Sequence, residues 1–571
     1  MTDNTPEIQS LLAEAGRAFQ NGRLEEAESA CDKLLKAAPG HYYGLQLMGF
    51  IRFSQGHADA AADCLNRASR AEPDNPEAFF NLGRVYEQLG RPDDAIDAYR
   101  NAHERDREDT GTLNALGTLL AKNGYLDDAE SCFREAGERA PDDAALQVNL
   151  GNVLARKRDH GGAETCYRRA VALDDTLAPA HNGLAQALLA LGETDAAMQA
   201  AERARNSKPD HAGAFITIGN IEKARARPDQ AVDAYRNALA RDPENPNAHF
   251  NLALALLLAG RLDEGWREYA WRWRWQEFGA PKRGLPQPEW NGGPFAGKRV
   301  IAWGEQGIGD EIMFASMLGD LAGEAASLTV ECAPRLKPLF ERSFPAIGFV
   351  ARQDSPAREL LDADADIQVA TGSLGQRYRP APESFPQRIG YLKADDADTS
   401  AFRARYRRLY SGKRLIGISW RSGNAELGAA RTAGLDLWRP VLATPDCAFI
   451  NLQYGDVKAE LDAFSQQSGC SVLFDDSANP LENMDAFAAQ IAALDLVISV
   501  DNSTVHLSGA LGVPTWTLLP PSPDWRWMLE REDSPWYPAM RLFRQRTAGD
   551  WTEVFSRVAD SLAAFKPDTT R

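Results

Sequence analysis

A small residue recurs every 34 positions through the first half of this chain, and this spacing restricts the fold more than any other feature. The first series consists of Ala15, Gly49, Gly83, Gly117, Gly151, Ala185, Gly219 and Ala253. A second series with the same spacing consists of Ala27, Ala61, Ala95, Ala129, Ala163, Ala197, Ala231 and Gly265. Because small side chains let two helices cross closely, the spacing predicts about eight helix-turn-helix units between residues 8 and 279.

Two further series complete the unit. An aromatic residue recurs at Tyr99, Phe133, Tyr167 and Tyr235, and a proline recurs at Pro39, Pro73, Pro141, Pro209 and Pro243. The pattern resembles the tetratricopeptide repeat, although proline is missing at Arg107 and Asp175 and Gly265 stands where alanine is usual. The resemblance implies an α-solenoid, a superhelix whose hairpins bury their apolar faces by stacking and leave a concave inner surface.

Asparagines occupy the sixth position of several units, which should face the concave surface. They are Asn81, Asn149 and Asn251. An amide both donates and accepts hydrogen bonds and can therefore hold the backbone of an extended peptide. This partial ladder is similar to the one with which eukaryotic O-GlcNAc transferases hold protein substrates, so we expect it to bind an acceptor peptide. The alternative is that asparagine is merely tolerated on a solvated face.

Charge and composition argue against some classes of binding partner and indicate the cellular compartment. The net charge of −18 argues against nucleic acid or an anionic membrane as the main partner. The longest apolar run, residues 252–259, is too short to span a bilayer, and the polar N-terminus lacks a signal peptide. The seven cysteines are scattered without any Cys-x-x-Cys pair, which favours a reducing compartment. We therefore expect a cytoplasmic protein, and the sequence leaves its oligomeric state open.

Aromatic and basic residues are dense where the repeats end. Trp266, Tyr269 and Trp273 would share one helical face, and Trp271 and Trp275 another. Such a surface could stack on a sugar or a base, but a terminal helix with this much aromatic surface is more simply explained by burial on both sides. Proline and glycine then interrupt any periodicity, which predicts a linker over residues 280–298.

The second half alternates apolar, β-rich runs with helical patterns. The predicted strands are residues 300–303, 328–331, 367–369, 415–420, 449–452, 472–474, 496–500 and 515–519. Such alternation predicts parallel sheets flanked by helices. A polar, arginine-rich stretch at 377–411 separates two predicted lobes, residues 299–410 and residues 411–571, the second ending in a helix. We expect a ligand-binding cleft between them.

A glycine-rich turn follows the first strand of this half. Its members are Gly304, Gln306, Gly307, Gly309 and Asp310. Glycines let the backbone approach a ligand closely, and the start of the following helix favours negative charge. The carboxylate of Asp310 is placed to face a ligand at this turn. As a dinucleotide-binding signature the glycine pattern is weak, because no suitable acidic residue follows a second strand.

Three stretches of the second lobe follow predicted strands and should line the cleft, because ligands bind beyond the carboxyl ends of parallel strands. They comprise Trp420, Arg421, Gly423 and Asn424; Gln453, Tyr454 and Asp456; and Asp501, Asn502, Ser503, Thr504 and His506. Arg421 offers a planar fork for phosphate oxygens. Asn502 or Ser503 can begin a helix whose amides point at an anion, with His506 one turn inside it. A lone histidine of this kind can also be structural.

At these motifs the second half resembles glycosyltransferases of the GT-B fold, which has two Rossmann-like lobes. It is most similar to the heptosyltransferase-like family (glycosyltransferase family 9-like) in the variant that follows tetratricopeptide repeats, as in bacterial flagellin and protein O-glycosyltransferases. The resemblance gives Asp310 the place of the candidate catalytic base and gives residues 501–506 that of the donor-phosphate site. The first lobe is shorter than in lipopolysaccharide heptosyltransferases, and 421–424 replaces their basic residues, which argues against a heptose donor and a lipid acceptor.

The resemblance also implies metal-independent transfer of a sugar from a nucleotide-sugar co-substrate, such as a CMP-nonulosonate or a UDP-sugar, without another cofactor. The Asp-x-Asp pattern in residues 362–366, which binds metal in other glycosyltransferases, is here expected to be a solvated turn. The expected acceptor is Ser or Thr of a protein, with flagellin the leading candidate. Two alternatives stay open: a non-catalytic repeat scaffold with a degenerate nucleotide-binding domain, and a transferase acting on a lipid-linked glycan.

Overall fold

The computed structural model describes residues 5–423 and 428–567. Asn424, one of the predicted donor-binding residues, lies outside the described residues. The chain forms two compact units, residues 1–217 and residues 218–571. The first consists of repeat helices, and the second holds the remaining repeat helices and two β-sheets. The domain boundaries proposed at residues 279, 298 and 410 stay predictions.

Sixteen helices follow one another in the described part of the first half, and they correspond to eight helix pairs at the predicted spacing. They are α1 (Pro6–Gln20), α2 (Leu24–Ala37), α3 (Tyr42–Ser54), α4 (Ala58–Ala71), α5 (Pro76–Gln88), α6 (Pro92–Arg105), α7 (Thr110–Lys122), α8 (Leu126–Arg139), α9 (Ala144–Arg156), α10 (His160–Leu173), α11 (Ala178–Ala190), α12 (Thr194–Ser207), α13 (Ala212–Ala224), α14 (Pro228–Leu239), α15 (Pro246–Leu258) and α16 (Leu262–Tyr269). The predicted repeat array is therefore confirmed.

Local capping explains where several of these helices begin. The Asp109 carboxylate accepts hydrogen bonds from the backbone N–H groups of Gly111 and Thr112, at the start of α7. The Asn245 side chain accepts one from Ala248 at the start of α15. Each cap satisfies amides that have no partner inside the helix and stabilises it by about 1 kcal/mol.

The recurring glycines and aromatic residues meet inside several hairpins, whereas Gly49 meets Leu65. A methyl group added at Gly151 on α9 would lie 2.7 Å from Cε1 of Tyr167 on α10. The Tyr167 ring is buried, and its hydroxyl donates to Asn152 at 2.8 Å. At Gly83, Gly117, Gly151 and Gly219, therefore, an aromatic ring of the second helix occupies the space that a side chain would need.

The aromatic segment after the repeats is packed against protein, as predicted, but it is not one continuous helix. α16 ends at Tyr269, and 3₁₀ turns follow at Ala270–Arg274 and Gln276–Phe278. The Trp271 ring stacks on His249 with centroids 3.7 Å apart, and the Trp275 ring lies 4.8 Å from Phe250. The tighter turns direct these side chains onto α15.

Within the residues that the structure describes, ten strands form two sheets in which every adjacent pair is parallel. They are β1 (Arg299–Trp303), β2 (Ser327–Cys332), β3 (Gly348–Ala351), β4 (Ile367–Ala370), β5 (Arg414–Ser419), β6 (Cys447–Asn451), β7 (Val472–Leu473), β8 (Leu496–Val500), β9 (Thr515–Leu519) and β10 (Met540–Arg544). The four-stranded sheet has the order β3-β2-β1-β4, and the six-stranded sheet has the order β10-β9-β8-β5-β6-β7. All eight predicted strands are present within a residue or two, whereas β3 and β10 were not predicted. The second half is therefore an α/β region with parallel sheets.

Helices accompany both sheets. They are α17 (Ile308–Ala315), α18 (Leu318–Glu324), α19 (Lys337–Ser343), α20 (Arg358–Leu361), α21 (Gly375–Tyr378), α22 (Asp396–Leu409), α23 (Gly428–Arg431), α24 (Arg439–Leu442), α25 (Lys458–Ser468), α26 (Met484–Ala492), α27 (Ser503–Ala510) and α28 (Thr552–Ala564). α17 and α27 follow β1 and β8 and pack against each other. This contact brings the helix starts after the two central strands to one place. None of the helices within the described residues has the length and apolar character needed to cross a membrane.

Replacing Gly151 by alanine should destabilise the protein by about 1 to 3 kcal/mol, because the new methyl group overlaps the Tyr167 ring. Urea denaturation followed by far-UV circular dichroism measures the change. Gly161→Ala on α10 is the matched control, since a methyl group there meets nothing within 4 Å and should cause no loss. Equal stability of both variants would contradict the proposed role of the small residue.

Candidate functional site

A cavity of about 420 Å³ opens beside the carboxyl ends of strands from both sheets. Its walls come from the glycine turn after β1 and from the segments after β2, β5, β6, β7, β8 and β9. The predicted site residues that line it are Gln306, Gly309, Asp310, Tyr454, Asp501, Asn502, Ser503 and His506. Residues from both predicted lobes are thereby brought to one cavity.

Side chains at and just after the end of the last repeat helix form hydrogen bonds that fix the glycine turn. The guanidinium of Arg272 donates from Nε to Glu305 at 2.8 Å and from Nη2 to Ser373 at 2.8 Å. Both charged side chains are essentially inaccessible to solvent, at 1% and 0% exposure. The Tyr269 hydroxyl donates to the Gln306 amide oxygen at 3.2 Å. The turn is therefore fixed before any ligand arrives.

Close backbone approach explains two of its glycines. A methyl group at Gly304 would lie 2.5 Å from the Arg352 guanidinium and 2.7 Å from the Glu311 carboxyl carbon. A methyl group at Gly309 would lie 2.8 Å from Cδ2 of His506. Gly309 thus lets α17 approach α27 closely enough for both helix starts to share the cavity. Gly307 is the N-cap residue of α17.

Asp310 belongs to a chain of alternating carboxylates and guanidiniums. Arg526 reaches Asp310 with Nη2 at 2.9 Å and Asp524 with Nε at 2.8 Å. Arg431 reaches Asp524 at 3.2 Å and Asp501 at 3.0 Å. Each guanidinium is shared by two carboxylates, and this arrangement orients Asp310 at the cavity wall.

The pKa values in this chain follow from burial and charge. Burial acts against the charged form of Arg526, but the carboxylates of Asp524, Asp310 and Asp501 raise its pKa well above the usual value. Burial likewise opposes ionisation of Asp524, yet Arg526 and Arg431 hold its pKa below the usual range. Both groups are therefore charged throughout the physiological pH range.

His506 is buried and neutral. Burial, followed by the positive charges of Arg526 and Arg431, lowers the pKa of His506 well below its usual value. The Arg526 guanidinium can only donate, so Nε2 of His506 is the acceptor in their contact at 3.4 Å. Nδ1 then carries the proton and donates to the Tyr537 hydroxyl at 2.8 Å. Both ring nitrogens thus have protein partners, although the ring also lines the cavity.

The start of α27 forms the opposite part of the wall. Asn502 caps the helix by accepting from the backbone N–H of Thr504 at 3.0 Å. Its amide nitrogen donates to the Ser419 hydroxyl at 2.8 Å and to the Arg421 carbonyl at 3.0 Å. Asn502 therefore ties the loop after β5 to the helix start, while Ser503 remains at the cavity.

Several predicted site residues lie outside the cavity lining. They are Gly304, Gly307, Trp420, Arg421, Gly423, Gln453, Asp456 and Thr504. Trp420 is fully buried, and the oxygen of Gln453 accepts hydrogen bonds from Ser419, Trp420 and Arg421. The Arg421 guanidinium pairs with Glu460 at 3.0 Å. These side chains shape the loop after β5, and their direct contact with a donor stays a prediction.

The repeat asparagines have diverse surroundings. In the first compact unit, residues 1–217, Asn81 is buried, and the Asn149 amide donates a hydrogen bond to the side-chain oxygen of Asn114 at 2.8 Å. In the second unit, the Asn251 oxygen accepts from Lys223 at 2.9 Å. Hydrogen bonds therefore link asparagine side chains to neighbouring repeats, and their predicted role in peptide binding stays a prediction.

Charged cavity residues outside the predicted set come from three places. They are Arg335, Arg431, Asp524 and Arg526. Asp524 and Arg526 follow β9, so the rule that ligands bind beyond the carboxyl ends of parallel strands could have found them. Arg335 follows β2 in the same way. Arg431 comes from α23, and nothing in the sequence places it opposite Asp501.

Fold and site define a class: a helical tetratricopeptide-repeat solenoid followed by an α/β region with parallel sheets and a polar cavity. The tetratricopeptide repeat family matches residues 51–109, 114–178, 163–212 and 216–270. Within the described residues, no group of three or more His, Cys, Asp or Glu side chains could hold a metal ion.

One curated relative is Protein FlbA of Caulobacter vibrioides, which is 34% identical over 379 residues. The match covers 63% of this chain and 62% of that protein, so the chain spans less than two thirds of the relative's length. Solved structures with similarity include the C-terminal part of a repeat-containing protein from Cytophaga hutchinsonii, at 18% identity and a TM-score of 0.36, covering 42% of this chain and 99% of that one. A tetratricopeptide repeat protein from Parabacteroides merdae has 18% identity and a TM-score of 0.36, covering 44% of this chain and 100% of that one.

Replacing Arg272 by methionine should destabilise the protein by about 3 to 5 kcal/mol, because Glu305 would be left as an unpaired buried charge. Adding Glu305→Gln should recover much of the loss. The control is Arg267→Met, which removes an exposed pair with Asp263 and should cost less than about 1 kcal/mol. Denaturant unfolding measures all variants. Equal losses for the single and double variants would show that the buried charge is not the cause.

Acid should weaken the wild-type fold more than that of a His506→Gln variant. The folded-state pKa of His506 lies well below its unfolded value near 6.5, so below pH 6.5 the unfolded chain gains a proton that the folded chain does not. Between pH 7 and pH 5 the wild type should lose up to about 2 kcal/mol more than the variant. Unfolding curves across this range test it, with His57→Gln at an exposed histidine as the control. Parallel profiles for wild type and His506→Gln would contradict a neutral buried imidazole.

Proposed function

We propose that this protein is a metal-independent glycosyltransferase of the GT-B type that moves a sugar from a nucleotide-sugar donor to a Ser or Thr hydroxyl of a protein. The single observation that carries the proposal is the shared cavity, in which the glycine-turn carboxylate of Asp310 and the start of α27 form parts of one wall. A proton acceptor and an anion-favouring helix start are the two groups that such a transfer needs.

On the acceptor side, Asp310 takes the proton of the hydroxyl as its oxygen attacks the anomeric carbon of the sugar. Arg526 holds the carboxylate in position through their ion pair at 2.9 Å. Arg526 is in turn fixed by Asp524. A base that is already oriented needs no rearrangement during the reaction, which lowers the barrier.

On the donor side, the bond between the anomeric carbon and the phosphate oxygen breaks as the new carbon–oxygen bond forms. The electron pair leaves with the nucleotide phosphate, whose negative charge is favoured by the backbone amides at the start of α27. Asn502 and Ser503 place this helix start in the cavity. Tyr454 lines the same wall and can contact the nucleoside.

The repeats support a protein acceptor. Tetratricopeptide repeats form extended surfaces for binding polypeptides, and asparagines at Asn81, Asn149 and Asn251 suit a peptide backbone. Flagellin is the acceptor class that the sequence resemblance favours, and a CMP-nonulosonate or a UDP-sugar is the corresponding donor class. The cytoplasm, where nucleotide sugars and unexported flagellin meet, is the proposed location.

Replacing Asp310 by asparagine should reduce transfer at least about 100-fold while nucleotide binding persists, because the proton acceptor is lost and the cavity keeps its shape. Intact-mass measurement of a co-expressed flagellin detects transfer, and thermal shift with UDP, GDP, ADP and CMP detects binding. The control is Asp362→Asn, which removes an exposed carboxylate of the Asp-x-Asp pattern and should leave transfer unchanged.

Normal turnover by the Asp310→Asn variant would contradict the assigned role of this carboxylate. A wild-type protein that is stabilised by none of the four nucleotides and adds no mass to the acceptor would instead favour the non-catalytic scaffold.

A further inference from the structure

Among the described residues, three arginines line the cavity, and they differ in the number of carboxylates paired with them. Arg431 and Arg526 each lie within 3.2 Å of two carboxylates, with Asp524 shared between them. The two guanidiniums face Asp310, Asp524 and Asp501, although burial raises the pKa of Asp501. An incoming anion at either arginine would therefore compete with carboxylates that are already in place.

Arg335 is the third arginine, and its position is different. It lies in a 3₁₀ turn, Pro334–Leu336, directly after β2. Its Nη1 donates to the backbone carbonyl of Pro480 at 3.1 Å. Across residues 5–423 and 428–567, no carboxylate forms an ion pair with it. A carbonyl oxygen satisfies one donor of the guanidinium and leaves the full positive charge and four other N–H groups available.

We propose that Arg335 is the anion-binding residue of this cavity, and that it holds a phosphate or a carboxylate group of the donor through charge-assisted hydrogen bonds. The inference rests on the proposed function for the identity of the donor, but the charge balance of the cavity carries it independently. A nucleotide sugar brings at least one negative charge, and the helix start at Ser503 supplies only about half a compensating charge. Arg335 supplies the remainder.

The surroundings of Arg335 strengthen such a contact. Pro480, Leu481 and Met484 form an apolar part of the wall, and Leu481 is 56% exposed. A ligand that covers Leu481 removes water from the guanidinium beside it, and ionic hydrogen bonds are stronger where water is excluded. The planar fork of arginine matches both phosphate and carboxylate oxygens, so the two sources must be separated by experiment.

The test compares the full-length wild type with Arg335→Gln, Arg335→Lys and a control, Lys337→Gln. Lys337 lies two residues further along, begins α19 and is not part of the cavity lining, so its variant removes the same charge from the same surface. Calorimetric titration at fixed salt measures binding of four probes: UDP, CMP, inorganic pyrophosphate and N-acetylneuraminate, a sugar with a carboxylate. Melting temperatures of all variants show that each is folded at the temperature of titration.

We expect Arg335→Gln to weaken binding of at least one anionic probe tenfold or more, Arg335→Lys to restore part of it, and Lys337→Gln to bind as the wild type does. A loss confined to UDP, CMP and pyrophosphate assigns the contact to phosphate, and a loss confined to N-acetylneuraminate assigns it to the sugar carboxylate. Either result supports the proposal.

Equal affinity of wild type and Arg335→Gln for every probe that binds would overturn the role of Arg335 and leave the proposed transferase intact. Arg335-dependent binding of pyrophosphate without any nucleotide binding would keep the anion site and overturn the proposed function. A wild type that binds none of the four probes would overturn the anion site together with the proposed CMP- or UDP-linked donor.

Discussion

The buried ion pair between Arg272 and Glu305 is the interaction on which the geometry of the candidate site depends. Arg272 lies in the turn after the last repeat helix, and Glu305 lies inside the glycine turn that carries Asp310. Two charges removed from water in this way contribute little net stability, because desolvation offsets their attraction. They contribute specificity instead, since any displacement of the glycine turn would leave one of them unpaired. The position of Asp310 is thus linked to the helical region before it.

Negative and positive side chains alternate along the cavity wall and form successive ion pairs, beginning at the glycine turn. In order they are Asp310, Arg526, Asp524, Arg431 and Asp501. A network of this kind costs desolvation at every member, so it is stable only when each charge is shared. The neutral His506 fits the same logic, because a protonated ring beside Arg526 would face a like charge. Arg526 and Asp524 therefore stay charged and His506 stays neutral across the physiological pH range, whereas burial raises the pKa of Asp501.

Local patterns predicted the parts of this protein that local physics determines. The repeats were predictable because the hairpins repeat similar packing contacts at a fixed spacing. Most of the predicted strands were recognisable because they are apolar runs that are buried in the sheets, as in β1, β5, β6, β8 and β9. β10 was missed because Arg541 and Arg544 interrupt its apolar residues, and β3 because its short apolar run, residues 349–351, directly follows a glycine.

The site was less predictable than the fold, since side-chain partners depend on distant residues. Arg421 lies two residues after the end of β5, and its guanidinium forms an ion pair with Glu460. The sequence does not reveal that pairing. Arg526 and Asp310 are more than 200 positions apart, and only packing of α17 against α27 brings their loops together. A position just after a strand predicts that a residue lies near a ligand. It does not predict whether the charge of that residue is already paired with another side chain.

Within the second compact unit, hydrogen bonds also connect the last repeat helices to a loop that lines the cavity. Lys223, on α13, donates to Asn251, one of the predicted peptide-binding asparagines, and its backbone carbonyl accepts from Ser522 in the loop that carries Asp524. Burial lowers the pKa of Lys223 to about 8, and the negative charge of Asp524 partly opposes this change. Ser522 lies two residues before Asp524, which pairs with Arg526, so Lys223 connects Asn251 to the loop that carries this ion pair. The last repeats are therefore part of the framework that positions the cavity loop carrying Asp524 and Arg526.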